Sequence, residues 1–223
     1  MKKVLTMALA VAMASGSVLA QAYEQGDWVL RAGATTVDPD TDSDQIDPSL
    51  PLEVKIKSDT ALGLIPLYMI TDNFAVELLA ATPFEHDIKI DHTPVRAGST
   101  KHLPPTVSVQ WHPRGGKSGW QPYIGLGVNY TGFFDEDVHP DLINFLGVDD
   151  ADLDLDDSWG IAAQAGMDIP FGEHWALNFA LWYINIETEA EITGKVDGAQ
   201  VAQVKFDVDV NPWVYNIGVA YKF

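Results

Sequence analysis

The stretch from Asn211 to Phe223 constrains the fold more than any other part of this 223-residue chain. Large apolar side chains fall on every second residue: Trp213, Tyr215, Ile217, Val219, Tyr221 and Phe223. Between them stand Val214, Asn216, Gly218, Ala220 and Lys222, mostly small or polar. A period of two is that of an extended strand whose side chains alternate between faces. In a soluble sandwich the apolar face packs on aliphatic neighbours and the other face meets water. Here the apolar set is rich in aromatics and the opposite face is too small for an ordinary wet surface. That combination fits a strand with its apolar side in lipid and its small side lining a barrel.

The N-terminus agrees with an exported protein. Lys2 and Lys3 precede an apolar run, and small residues follow as far as Ala20-Gln21-Ala22. This is the layout of a secretory signal peptide over residues 1–22, with cleavage after Ala22 or after Ala20. The run is too short to cross a bilayer as a helix, and no later stretch approaches the ~18 apolar residues a membrane helix needs. The absence of cysteine excludes a disulfide framework and suits a barrel closed by backbone hydrogen bonds. A formal charge of −19 argues against nucleic acid as a partner and against a pore for anions.

Roughly eight alternating segments recur with turn signals between them. They cover residues 27–37, 58–70, 74–84, 102–111, 121–133, 155–169, 175–186 and the C-terminal stretch. Connections after the even-numbered segments are short, and those after the odd-numbered ones run to about fifteen to twenty residues, the asymmetry of outer-membrane barrels. Trp111, Trp120, Tyr123, Phe171 and Trp175 gather beside the short turns, as an interfacial girdle would. The expected fold is all-β, an eight-stranded antiparallel transmembrane barrel over residues 23–223, with short periplasmic turns and long extracellular loops. Phe223 at the end of the closing strand is the expected recognition signal for the barrel-assembly machinery.

Several motifs identify a resemblance. Glu77-Leu-Leu-Ala-Ala-Thr-Pro-Phe84, His102-Leu-Pro-Pro-Thr-Val107, Asn129-Tyr130 followed by Phe133-Phe134, and Asp157-Ser-Trp-Gly160 resemble the OmpW family. Gly26-Asp-Trp-Val-Leu-Arg-Ala-Gly33 and Thr71-Asp-Asn73 fit it too. The resemblance spans the whole mature chain. It implies a barrel in the outer membrane of a Gram-negative cell, surrounded by lipid and lipopolysaccharide, with a narrow apolar lumen and a role in uptake of small hydrophobic molecules. It also implies, for some members, reception of bacteriocins. Leu79 and Trp159 occupy positions where the family narrows its channel, although alternation turns Leu79 inward and Trp159 outward unless a bulge shifts the register.

The residues themselves suggest further sites. Pro66, Pro83, Pro104 and Pro105 fall in consecutive strands, and each removes a ladder donor where lipid offers no replacement. Pro83 either ends a strand at the rim or, with Pro104 and Pro105, marks a weak wall through which an apolar ligand leaves sideways. Small inward residues, among them Ala61, Gly63, Ala75, Ala81, Gly125, Gly127 and Ala180, leave room for an apolar cavity or offset bulk elsewhere. Arg31, Glu77, Gln110, Gln164 and Asp168, with Asn129, form an expected polar network in the lower lumen, with Arg31 paired to Glu77 or Asp168.

Acidic runs at 38–47 and 149–157 match no defined ion loop, so solvated surface is expected rather than a metal site. His86, His92 and His102 all fall around the second loop and could meet, but no helix fixes them at metal-binding spacing, and a rim or surface role is expected. His86, Asp87 and Ser99 make only a forced hydrolytic set, and no cofactor is implied. The leading functional expectation is a passive channel for small hydrophobic compounds. The alternative is a non-transporting barrel for recognition, adhesion, bacteriocin reception or envelope stability.

Overall fold

The computed structural model describes residues 22–43 and 53–223. In chain order the elements are β1 (Trp28–Asp38), β2 (Asp42–Ser43), β3 (Val54–Ile56), β4 (Asp59–Met69), β5 (Phe74–Ala81), β6 (Phe84–Ile90), β7 (Arg96–Leu103), β8 (Thr106–Trp111) and β9 (Gln121–Val138). There follow α1 (Pro140–Leu146), β10 (Asp150–Leu155), β11 (Ser158–Pro170), β12 (Trp175–Ile184), β13 (Glu187–Val196), β14 (Ala199–Asp209) and β15 (Trp213–Lys222). The leader expected over residues 1–22 lies outside the described residues, apart from Ala22.

Eight of these strands close a ring: β1, β4, β5, β8, β9, β11, β12 and β15, with β15 returning to β1. Every pairing in the ring is antiparallel. Closure leaves no strand edge to lipid, which is the condition for a sheet to cross a membrane. The alternation read in the sequence decides which way each side chain points. On β9, Ile124, Leu126 and Val128 are more than half exposed, while Gln121, Asn129 and Thr131 are fully buried inside. Trp28 and Tyr68, and Trp175, Tyr221 and Phe223, make ring contacts around the periplasmic end. Tyr130 with Trp159, and Tyr183 with Trp213, make a second girdle nearer the other end.

Above that second girdle the outer surface becomes charged, with Lys101 paired to Asp135 at 3.2 Å. The long connections expected at this end are themselves folded, and the chain builds a second storey of strands from them. β3, β6, β7 and the upper half of β9 form one wall. β10, β13, β14 and β2 form a separate four-stranded sheet. The physical reason is a further period of two. Phe84, His86, Ile88 and Ile90 are buried while Glu85 and Asp87 are exposed. Ala151 and Leu153 are buried between exposed Asp150, Asp152 and Asp154. The 74–84 and 102–111 segments each divide as a result, at Thr82-Pro83 and at Pro104-Pro105.

Candidate functional site

Three levels can be followed from the periplasmic side upward. The lowest is a closed polar layer. Arg31 on β1 reaches Glu77 of β5 through Nη1 at 2.5 Å and Asp168 of β11 through Nη2 at 2.7 Å. All three side chains are completely buried. Gln110 Nε2 donates to Glu77 Oε2 at 2.6 Å and to Gln164 Oε1 at 2.8 Å. Asn178 Nδ2 donates to Asp168 Oδ1 at 2.7 Å, and Tyr23 Oη donates to Asp168 Oδ2 at 3.0 Å from the N-terminal segment below. The Arg31 guanidinium also lies 4.2 Å from the centre of the Tyr123 ring. The structure thus brings Arg31, Glu77, Gln110, Gln164 and Asp168 together, and adds Asn178, Tyr23, Tyr123 and His112 to them. A buried charge needs such a set of partners, and the set fills the section it crosses.

Small inward residues do not leave a hole at this height. A side chain on Gly166 would meet the Tyr123 ring at 2.4 Å, so the glycine makes room for that ring. Thr35 occupies the space over Gly63 in the same way, at 2.1 Å from where a methyl would stand.

The middle level is apolar. Leu79, Trp182 and Val214 are buried inside the barrel. A cleft of about 10 Å³ lies among Thr35, Leu79, Ala81, Phe84, Pro104 and Val214. Behind this cleft the wall has a seam. The β5–β8 ladder ends at Leu79 opposite Thr106, and the next pair on that side, Phe84 opposite His102, belongs to β6 and β7. No ladder pair joins residues 80–83 to residues 103–105 among the described residues. Proline explains part of this, because Pro83 and Pro104 have no N–H to give across the seam, whereas the backbone of Pro105 faces β9.

Each bank of the seam is held from its far side. Thr82 N donates to Leu62 O of β4 at 3.0 Å, and Leu62 N donates to Thr82 Oγ1 at 3.3 Å. Tyr130 N of β9 donates to Pro105 O at 3.1 Å. At this height the wall is open between β5 and β8; just below it the β4–β5 ladder also skips residues 65–66 and 78–79, where Pro66 has no N–H to give. Pro104 is buried toward the cleft, while Pro83 and Pro105 are exposed on the outside.

The upper level is a vestibule between the two walls of the second storey. A cavity of about 50 Å³ is bounded by apolar side chains such as Ile88, Phe133, Leu153 and Phe206, together with His86 and His102. Phe84, 1 % exposed, separates it from the cleft below and packs against both histidine rings. His86 and His102 meet at 2.9 Å through their Nε2 atoms. Burial pushes both histidines below their ordinary range, His102 to about 3. His92 stands apart in an exposed turn. Alternation on β6 sends Asp87 to the outer face and His86 to the inner one, so His86, Asp87 and Ser99 do not converge.

No group of three or more metal-ligating side chains occurs among the described residues. The carboxylates of 150–154 face outward from β10, Asp152 in an ion pair with Lys195. Asp44 and Asp47 of the first acidic run lie outside the described residues.

The OmpW family model matches residues 24–223. The chain belongs to the OmpW family. It is 42 % identical over 219 residues to outer membrane protein W of Vibrio cholerae, covering 96 % of this chain and 97 % of that one. Its fold matches the crystal structure of the outer membrane protein OprG from Pseudomonas aeruginosa with a TM-score of 0.82 and 42 % identity, over 92 % of this chain and 99 % of that one. The solid-state NMR structure of outer membrane protein AlkL in lipid bilayers matches with a TM-score of 0.64 at 25 % identity, over 91 % of this chain and 92 % of that one. The protein is accordingly an integral outer-membrane β-barrel and not an enzyme.

One expectation attached to the OmpW family needs correction. Trp159 does not narrow the channel: it is 73 % exposed, paired in register with Tyr130 on the lipid face, and no bulge turns it inward. The inward tryptophan is Trp182, fully buried on β12. Trp182 was not singled out from the sequence, although its alternation with Leu181 and Tyr183 turns it inward. Leu79 faces the lumen, 3 % exposed.

Proposed function

We propose that this OmpW-family barrel is a passive channel for small hydrophobic molecules, which enter the vestibule, pass Phe84 and Leu79, and leave sideways between β5 and β8 into the membrane. The observation that carries this reading is the seam backed by an apolar cleft. Lipid tolerates an unpaired backbone only where something else covers it, and a wall held together from both far sides can part there without unzipping the ring. The polar layer below supports a sideways path, because it fills the straight route to the periplasm. Pro83, Pro104, Pro105, Ala81 and Leu79 are the channel residues in this proposal, with Phe84 as the movable floor of the vestibule. Phe223 is proposed as the contact with the barrel-assembly machinery.

Transport would be diffusion down a gradient, ending in the membrane where an apolar solute is most soluble. The test compares the rate at which a small fluorescent hydrocarbon reaches the cell interior with and without the protein. Faster uptake through the wild type supports the reading; equal rates refute it. A surface-recognition role has one supporting observation, the ordered and ion-paired outer storey. It predicts equal rates in the same assay.

A further inference from the structure

We infer that the channel's entrance is the groove between α1 and the β13–β14 hairpin, and that it admits small apolar molecules carrying no charged group. This rests on the channel reading and deepens it, naming where the solute is captured from outside and which class is refused.

The helix bridges the two walls of the outer storey. At its start His139 N donates to Ala97 O of β7 at 2.9 Å, and Arg96 Nε donates to Asp141 Oδ2 at 3.2 Å. Just past its end Asp149 N donates to Lys195 O of β13 at 2.9 Å. Leu142, Phe145 and Leu146 stand at i, i+3 and i+4, so they share one face of α1. Such a face is ordinarily covered along its whole length. Here Leu142 is 4 % exposed, whereas Phe145 and Leu146 are 48 % and 42 % exposed. Apolar side chains left open together beside a hollow mark a place of binding, unlike apolar residues scattered singly over a surface.

The hollow is a groove of about 90 Å³ between this face and the inner side of β13 and β14. Its lining changes from one end to the other. Phe145, Leu146 and Ala202 are exposed to the outside. Val54, Ala97, Leu142 and Ile192 are buried, and these four also bound the vestibule. The groove and the vestibule are therefore two lengths of one path. Strand alternation makes its wall continuous. On β14, Val208 and Phe206 line the vestibule, and Val204 and Ala202, next on the same face, line the groove, with burial falling in that order. On β13, Ile192 belongs to both lengths and Gly194 follows it. Gly194 keeps the path open, since a methyl there would stand 3.1 Å from Val148 Cγ1 and 3.7 Å from Ala202 Cβ. Every side chain lining the groove among the described residues is apolar. A charged head would shed its water there and meet no partner, so the same skeleton is admitted as a hydrocarbon and refused as a carboxylate.

The test places a bulky group at the mouth after the protein has folded. The chain has no cysteine, so Ala202→Cys supplies a sole thiol at the exposed end of the groove. Val201→Cys supplies one on the opposite face of the same strand, at a position 58 % exposed. Protein-dependent uptake of naphthalene is the rate in cells with the protein less the rate in cells without it. It is measured before and after reaction with a bulky maleimide, the labelling being verified by mass spectrometry. Labelling of Ala202→Cys is expected to remove most of this uptake, and labelling of Val201→Cys to leave it unchanged. The unlabelled protein is expected to give no protein-dependent uptake of 2-naphthoate, a carboxylate on the same two rings. Uptake unmoved by the label on Ala202→Cys, an equal loss with both labels, or a thiol in Ala202→Cys that the reagent cannot reach overturns the entrance. Protein-dependent uptake of 2-naphthoate equal to that of naphthalene overturns the selectivity. Either result leaves the channel reading standing. Absence of protein-dependent naphthalene uptake before labelling overturns the channel reading, and this inference with it.

Discussion

Replacing Arg31 by methionine tests whether the lower lumen is held by its charge network. The substitution keeps most of the aliphatic volume and removes four donor contacts, at 2.5 Å to Glu77, at 2.7 and 3.2 Å to Asp168, and at 3.3 Å to Gln110. It strands two carboxylates that are both completely buried. Breaking a buried pair by deleting one partner costs about 3–5 kcal/mol, because the desolvation of the survivor is no longer offset. The Tyr123 face also loses its cation, worth up to ~2 kcal/mol in a desolvated site, so the expected loss lies in the upper part of that range. The assay is reversible urea unfolding in lipid vesicles, followed by tryptophan fluorescence. A second variant completes the argument: Arg31→Met with Glu77→Gln and Asp168→Asn removes all three charges together. It should recover most of the loss, since a neutral hydrogen-bonded layer no longer contains an uncompensated charge. A loss below about 1 kcal/mol for Arg31→Met, or a triple variant no more stable than the single one, would refute the reasoning.

Three other perturbations address the upper levels. Pro104→Val with Pro105→Val restores two backbone donors, that of residue 104 facing Ala81 across the seam and that of residue 105 facing β9, and should slow uptake of an apolar probe while the barrel still folds; unchanged uptake would count against the seam. Trp182→Ala removes a fully buried ring from the lumen and should cost about 3–5 kcal/mol in the same unfolding assay, whereas Trp159→Ala, on the lipid face, should leave probe uptake unchanged. The third concerns pH. Burial lowers the folded pKa of His102 to about 3 from the ordinary histidine value of about 6.5, so its contribution to stability is complete above about 6.5 and is lost as pH falls toward 3. Thermal unfolding of His102→Phe should therefore be less sensitive to acid across that window than wild type, the difference between the two isolating this group from the many surface carboxylates.

The membrane storey was legible in the sequence because lipid enforces a strict rule: Ile124, Leu126 and Val128 face out, Asn129 and Gln164 face in, and a period of two records the choice residue by residue. The outer storey obeys the same period but was harder to read. Asp150-Ala-Asp-Leu-Asp-Leu155 looks like an acidic run until its alternate residues are separated, since a strand with carboxylates on its wet face resembles a loop in composition. Pro83, Pro104 and Pro105 could be placed at a common height from strand length alone. That the break falls between β5 and β8, and that Thr82 and Pro105 are anchored away from it, depends on hydrogen bonds that no spacing reveals. That His86 and His102 could meet was legible from their places around one loop; that they do so at 2.9 Å while His92 stays apart depends on the pairing of β6 with β7.

The most direct test of the sideways path is a reversible tether across the seam. The chain has no cysteine, so Ala81→Cys with Pro104→Cys introduces the sole thiol pair, on two residues that border the same cleft. Uptake of a small hydrocarbon is measured with the disulfide formed, verified by peptide mapping, and again after reduction. The account predicts that the oxidised barrel transports at least about tenfold more slowly and that reduction restores the rate, a change of about 1.4 kcal/mol or more in the barrier. Transport at the same rate with the seam locked would contradict it.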